Sequence, residues 1–224
     1  MAATGDRTTL GEHVYEQVRA AILSGRLHPG QRLKVADLSA EYGVSLNVVR
    51  EALNRLTGEQ LVRAEPQIGF AVTDLSLDDL TDLVRVRVAI ESTALRWSIE
   101  HGDIAWESQV VGAHYRLANT PMTTADTAPT VTYDWIRAHS DFHAVILSAC
   151  GSPRMQDITR SLSDAAELYR RWSLPRAHRD LPGEHAEIMN ATLAREADRA
   201  AAALTAHIQR TRDTLLEQQA PRDA

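Results

Sequence analysis

The chain has one cysteine, Cys150, so it cannot close an internal disulfide, and this usage fits a reducing compartment. It also has one lysine, Lys34, so nearly all of its positive charge is arginine. No uninterrupted apolar run approaches the ~18 residues of a membrane span. The opening MAATGDRTTLGEH lacks the apolar core of an export signal. A cytoplasmic protein with no membrane contact is therefore expected. Nor is there an excess of positive charge. The net charge of -6 argues mildly against a protein held on nucleic acid by a global field. The acidic excess is unevenly placed: residues 1–75 hold 8 basic and 9 acidic side chains, and residues 76–224 hold 16 and 21. Phosphate attraction in the first part would have to come from the local placement of Arg26, Arg32, Lys34, Arg50 and Arg63.

What is present is a chain of 224 residues, 44% hydrophobic and 24% charged, ordinary for a globular protein of one large or two small domains. The spacing predicts a first helix over Thr9–Ser24, with Val14, Val18, Ala21 and Ile22 as its apolar stripe, closed by Gly25 and a His28-Pro29-Gly30 turn. Two helices follow between Lys34 and Leu61. Gly43 supplies the turn between them and Ser45 is the N-cap of the second. Val49, Ala52, Leu53 and Leu56 form the core face of that second helix, while Asn47, Arg50 and Asn54 fall on a separate polar face. A short helix, a glycine turn and a longer helix with amide and guanidinium groups outward is the helix-turn-helix pattern. After Leu61, VRAEPQIGFAV reads as a hairpin with strands Leu61–Ala64 and Phe70–Val72, the wing of a winged helix.

The run YEQVRAAILSGRLHPGQRL…LSAEYGVS…VREALNRL…LV…GFAV resembles the N-terminal domain of GntR-family bacterial transcription regulators. The marks that carry it are the helix ending in Gly25, Pro29-Gly30, Gly43-Val44-Ser45, Val49-Arg50-Glu51-Ala52-Leu53 and the wing Gly69. The resemblance implies that Arg32, Lys34, Ser45, Leu46, Asn47, Arg50, Gln67 and Gly69 face double-stranded operator DNA. It departs after Gly-Val-Ser, where the family usually has arginine, threonine and proline and this chain has Leu46, Asn47 and Val48. Leu46 could touch a thymine methyl or pack near Leu53, and packing is the favoured expectation.

Past a short linker at Thr73–Ser76, only helical signals appear. Ser76 and Asp79 suggest a capping box for a long helix over Leu77–His101, with Leu80, Leu83, Val84, Ile90, Ala94 and Trp97 on one face. Arg87 interrupts that face, one turn before Glu91. A buried guanidinium must be paired or bind an anion, so an internal Arg87–Glu91 pair and an effector carboxylate stand as equal alternatives. Further helices are expected over residues 103–118, Tyr133–Cys150, Arg154–Leu174, Gly183–Leu193 and Glu196–Gln219, with a polar loop at Asn119–Thr132. The fold class is thus mainly α: a winged helix-turn-helix domain with a small β-hairpin over residues 1–75, then a helical bundle of six to seven helices over 76–224.

Four of nine histidines sit on apolar faces. His139 and His143 are i and i+4 among Trp135, Ile136, Phe142, Ile146 and Leu147. His185 shares a face with Ile188 and Met189, and His207 with Ala200 and Leu204. Two imidazoles at i, i+4 suit one metal, because they project from the same side of adjacent turns. His13, His28, His101, His114 and His178 read as surface or turn residues. The stretches RVAIE at Arg87–Glu91, HSDFHAVILSACGS at His139–Ser152, EHAEI at Glu184–Ile188 and the distal His207 resemble the FCD domain of the FadR subfamily. That resemblance implies a divalent metal held by His143, His185 and His207, with an organic-acid carboxylate completing the coordination; the planar fork of Arg87 on its apolar helical face is the expected partner of that carboxylate. The fourth ligand position, usually aspartate, is His139 here, and Asp141 is off register. An added imidazole favours zinc or nickel. A homodimer that binds operator DNA is implied. The rivals are a metal-dependent hydrolase-like enzyme built on the histidines, and an architectural DNA-binding protein with a metal-free bundle.

Overall fold

The computed structural model describes residues 10–65, 69–125, 131–172 and 179–219. They fall into two compact units, Met1–Leu75 and Ser76–Ala224. The fold is mainly α, with nine helices and three short strands among the described residues, and none of these helices is long and apolar enough to cross a membrane.

In the first unit, α1 (Leu10–Leu23) buries Val14, Tyr15, Val18, Ala21, Ile22 and Leu23. The second helix, α2 (Val35–Tyr42), stops because Gly43 takes φ 64, a left-handed conformation that costs glycine little. Ser45 then caps α3 (Leu46–Gly58), its hydroxyl accepting from the Val48 N–H at 3.4 Å. Val49, Ala52, Leu53 and Leu56 are all buried. Polar contacts fix α1 on α3: the Tyr15 hydroxyl donates to Glu59 at 2.5 Å, and Arg55 donates to Glu12 at 2.6 Å while its guanidinium lies 3.9 Å from the Tyr15 ring centroid.

The hairpin forms from β2 (Val62–Glu65) and β3 (Gly69–Val72), antiparallel with Val62 opposite Val72 and Glu65 opposite Gly69. The sequence places Pro66 and Gly69 in the connection; Pro66 lies outside the described residues, and Gly69 is instead the first residue of β3, paired with Glu65. A third strand joins them. β1 (Arg32–Leu33) pairs with β3, giving the order β1-β3-β2. Two residues are too few to show an alternating pattern, so this strand is invisible to periodicity. Gly30 delivers the chain to it at φ +74, and a Cβ there would meet Asp74 Oδ1 at 2.5 Å.

Among the described residues, the second unit is six helices: α4 (Leu77–His101), α5 (Ile104–Ala118), α6 (Tyr133–Leu147), α7 (Pro153–Trp172), α8 (Leu181–Leu193) and α9 (Ala197–Gln219). An isolated β-bridge between Thr123 and Val131 is the one extended pairing among the described residues here. α4 packs chiefly on α9, where Ala200, Ala201 and Leu204 are buried, and a Ser92–Thr205 hydroxyl pair spans the contact at 3.1 Å. The Trp106 indole N–H donates to the Val145 carbonyl at 2.8 Å and ties α5 to α6. Arg195, in the turn before α9, donates to the carbonyls of Ile99 and Gly102 at 2.8 and 2.7 Å, which satisfies the C-terminus of α4.

The buried stripe of α4 differs from the expected one. Arg87 lies inside it as expected, with Glu91, but Ser92 and Ser98 lie inside it too, whereas Trp97 is 38% exposed and Ile90 is half-buried. At the start of α4, Ser76 accepts from the Asp79 N–H at 3.3 Å, as a cap should. The reciprocal half of the capping box is missing. Asp79 instead accepts from the Tyr169 hydroxyl at 2.6 Å, and that hydroxyl accepts from the Ser76 N–H at 3.3 Å, so a tyrosine of α7 relays the bond.

Burial and then the bond to Asp79 hold the Tyr169 hydroxyl well above the ordinary tyrosine range, and burial and Glu59 do the same to Tyr15. Above about pH 10 the unfolded chain loses tyrosine protons that the folded chain keeps. The folded state then binds more protons, so stability falls as pH rises. Urea unfolding at pH 9 and pH 11 should show this loss, and Tyr169→Phe should reduce it. An identical pH slope in the variant would count against the relay.

Candidate functional site

On the first unit, one side of α3 and its N-cap is exposed. Ser45, Leu46, Asn47, Arg50 and Asn54 are all exposed. Leu46 is 48% exposed, while Leu53 is fully buried, so Leu46 stands outside the core that encloses Leu53. The first turn of α3 carries no acidic residue, so its N-terminal amide groups remain compatible with a phosphate. Arg32 on β1 and Lys34 at the N-cap of α2 are exposed, and Gly69 opens β3 at φ +101. Gln67 lies outside the described residues. Arg63 is a poor source of phosphate attraction, because its guanidinium is bridged to Glu65 at 2.8 Å and also to Asp74.

In the second unit, three helices converge on one point. α6 supplies His139 and His143, α8 supplies His185, and α9 supplies His207. All four are buried, and one ligand nitrogen from each lies within 4.8 Å of the others. The extreme ring-centroid separations are 4.5 Å, between His139 and His143, and 5.8 Å, between His139 and His207. Trp135 and Phe142 supply an aromatic wall on the α6 side of the cluster. Trp135 stacks on His139 at 4.9 Å, and Phe142 lies edge-on to His143 and His185 at 5.4 and 5.6 Å. Asp141 is exposed and outside the cluster, as its register requires.

Metal–nitrogen bonds of about 2.0–2.1 Å place coordinated nitrogens roughly 3–4 Å apart, so this cluster needs only a small contraction to grip one ion. Neutral imidazoles are suited to borderline transition metals. The residues present therefore fit a metal.

Polar residues outside the sequence-predicted ligand set meet His207. Glu184 lies 2.8 Å from His207 Nδ1. Arg179 donates to both oxygens of Glu184, at 3.1 and 2.8 Å, to the His207 carbonyl at 3.0 Å and to Thr211 Oγ1 at 3.1 Å. On α6, the Ser140 hydroxyl donates to the buried Glu167 of α7 at 2.6 Å. Glu184 precedes His185 directly, which is a signal the sequence offered. Arg179 precedes α8, where helical periodicity has nothing to say.

Arg87 forms the internal pair. Its Nε and Nη2 donate to the two oxygens of Glu91 at 2.6 and 3.2 Å, and both residues are buried. His13, His28 and His101 are exposed, and His178 lies outside the described residues. His114 is a correction: it is half-buried in α5 with its ring edge-on to Phe142 at 5.7 Å, and desolvation holds its imidazole below the ordinary range.

Comparison with known proteins agrees with this division. Residues 10–72 match the bacterial regulatory proteins of the gntR family, and residues 82–210 match the FCD domain. The uncharacterized HTH-type transcriptional regulator BphR of Paraburkholderia xenovorans (strain LB400) is 38% identical over 90% of this chain and 83% of its own length. The HTH-type transcriptional repressor GlaR of Escherichia coli (strain K12) is 27% identical over 87% of this chain and 90% of its own. Among solved structures, a putative transcriptional regulator GntR from Rhodococcus sp. RHA1 superposes with a TM-score of 0.73 at 25% identity, covering 95% of this chain and 99% of that one. These relatives are named as regulators, not as enzymes.

Proposed function

The chain belongs to the GntR family of bacterial transcription regulators, with an FCD domain as its second part, and from that premise we propose that a small organic acid sets its affinity for operator DNA. In this reading the protein is a cytoplasmic homodimer whose two winged helices occupy inverted half-sites. The helical unit, residues 76–224, carries dimerisation and effector binding. His139, His143, His185 and His207 hold a divalent transition metal, zinc or nickel. The metal supplies Lewis-acid attraction for the effector carboxylate. The four buried imidazoles with ligand atoms within 4.8 Å of one another are the observation that carries the reading. Glu91 takes Nε and Nη2 of Arg87, so Nη1 is the side of the fork assigned to the effector. Binding of carboxylates in turn shifts the equilibrium between DNA-competent and DNA-incompetent states.

On the DNA, Arg32, Lys34 and Ser45 contact phosphates, Gln67 and Gly69 of the wing approach the backbone, and Leu46, Asn47 and Arg50 reach base edges. An arginine fork pairs with guanine O6 and N7, and an asparagine with adenine N6 and N7. Exposed Leu46 meets a thymine methyl. Selection of bound sequences from a random pool should therefore return two inverted half-sites, each with one G·C pair read by Arg50 beside an A·T-tolerant position. Loss of a bidentate base contact costs about 1–3 kcal/mol. Arg50→Ala should weaken operator binding on the order of tenfold to a hundredfold, and more than it weakens binding to random DNA. Leu46→Arg should change the selected site. The same site chosen by wild type and Leu46→Arg would mean that Leu46 does not face the bases.

A further inference from the structure

We infer that Glu184 is a positioning residue that sets the His207 ring for the histidine cluster, and that Arg179 fixes Glu184 in that role; this rests on the metal reading above. Two polar groups lie near His207 Nδ1. The Glu184 carboxylate is at 2.8 Å and Arg179 Nη2 is at 3.5 Å, the limit of a hydrogen bond. An ionised carboxylate only accepts and a guanidinium only donates, so the two contacts demand opposite tautomers. Both contacts involve a charged group, so distance decides between them: 2.8 Å to Glu184 is a full hydrogen bond and 3.5 Å to Arg179 is at the limit of one. Nδ1 therefore carries the proton and donates to Glu184, and Nε2 keeps the lone pair that a metal needs.

Glu184 cannot easily turn away from this task. Arg179 donates to both of its oxygens, and Arg210 lies 3.2 Å from one of them. The side chains of Arg179, Glu184 and His207 are all at most 10% exposed, so water competes little for these bonds. Arg179 also donates to the His207 carbonyl and to Thr211, one helical turn further along α9. One guanidinium thus fixes both the backbone that carries His207 and the carboxylate that orients its ring. Outer partners of metal-binding histidines act in this way in general, by fixing tautomer and orientation and raising ligand basicity.

The test uses the full-length chain and the variants Glu184→Ala, Glu184→Gln and Arg179→Gln. Affinities for Ni²⁺ and Zn²⁺ are measured by competition with a chromophoric chelator. The His207 tautomer is read in metal-free protein from ring ¹⁵N shifts. Wild type should show the Nδ1–H tautomer. Glu184→Ala should lose roughly 10–100-fold in metal affinity and lose the tautomer preference. Glu184→Gln should fall between, because its amide oxygen still accepts from Nδ1–H but carries no charge. Arg179→Gln should weaken metal binding with the Nδ1–H tautomer kept. A folded Glu184→Ala with wild-type affinity and tautomer would overturn the inference. If that variant does not fold, Glu184→Gln decides on the same two readouts. If wild type binds neither metal, the metal reading fails, and the tautomer alone decides the role of Glu184.

Discussion

Chelator-treated protein is expected to melt roughly 5–15 °C below the metal-loaded form. A ligand that binds only the folded state stabilises it by about 2.7 kcal/mol at a hundredfold excess over its dissociation constant and about 4.1 kcal/mol at a thousandfold. For a chain of this size each kcal/mol moves the melting temperature by about 2–4 °C. The effect should be large because the donors come from three helices, α6, α8 and α9, which an ion would clamp together. His143→Ala and His185→Ala should each lower metal content, and the double variant should be metal-free by elemental analysis. Unchanged metal stoichiometry in the double variant would sink the metal site.

The second large effect concerns Arg87. Its pair with Glu91 is buried and two-pronged, with Arg87 5% and Glu91 1% exposed. Removing one partner of a buried pair leaves an uncompensated charge and costs about 3–5 kcal/mol, whereas replacing both by apolar residues is often neutral. Arg87→Leu should therefore lose about 3–5 kcal/mol in urea unfolding, and Arg87→Leu with Glu91→Leu should recover most of it. The double variant also separates structure from sensing. Calorimetric titration with a panel of mono- and dicarboxylates should register binding to wild type and none to the folded double variant. Carboxylate binding that survives in the double variant would leave Arg87 a purely structural residue. Operator binding should persist in it, because the residues proposed to meet DNA lie in the first unit.

Much of the winged helix was legible because its boundaries are written in residues with narrow roles. Gly43 must take the left-handed turn, Ser45 must cap, and Val49, Ala52, Leu53 and Leu56 repeat at helical spacing over a helix of only 13 residues. The long α4 was harder. Its buried stripe holds Arg87, Glu91, Ser92 and Ser98, so tracking hydrophobic residues alone drew Trp97 and Ile90 inward when they lie at the margin. The i, i+4 spacing brought His139 and His143 together on paper. Their meeting with His185 and His207 depends on how α6, α8 and α9 pack, which no local pattern encodes. Arg179 was illegible for a related reason, since its partners are Glu184, five residues on, and Thr211, 32 residues on.

The scarcity of lysine has a practical consequence for labelling chemistry. Lys34 is the sole lysine, and its side chain is 68% exposed ahead of α2. The sole cysteine, Cys150, is 2% exposed in the other unit. An amine-directed fluorophore thus has one side-chain target in the native protein, on the unit that carries α3, while a thiol-directed one has none within easy reach. The unmodified sequence accordingly provides a reporter for the helix-turn-helix with no engineered residue, and any acylation of a lysine side chain in the cell would fall on that same residue.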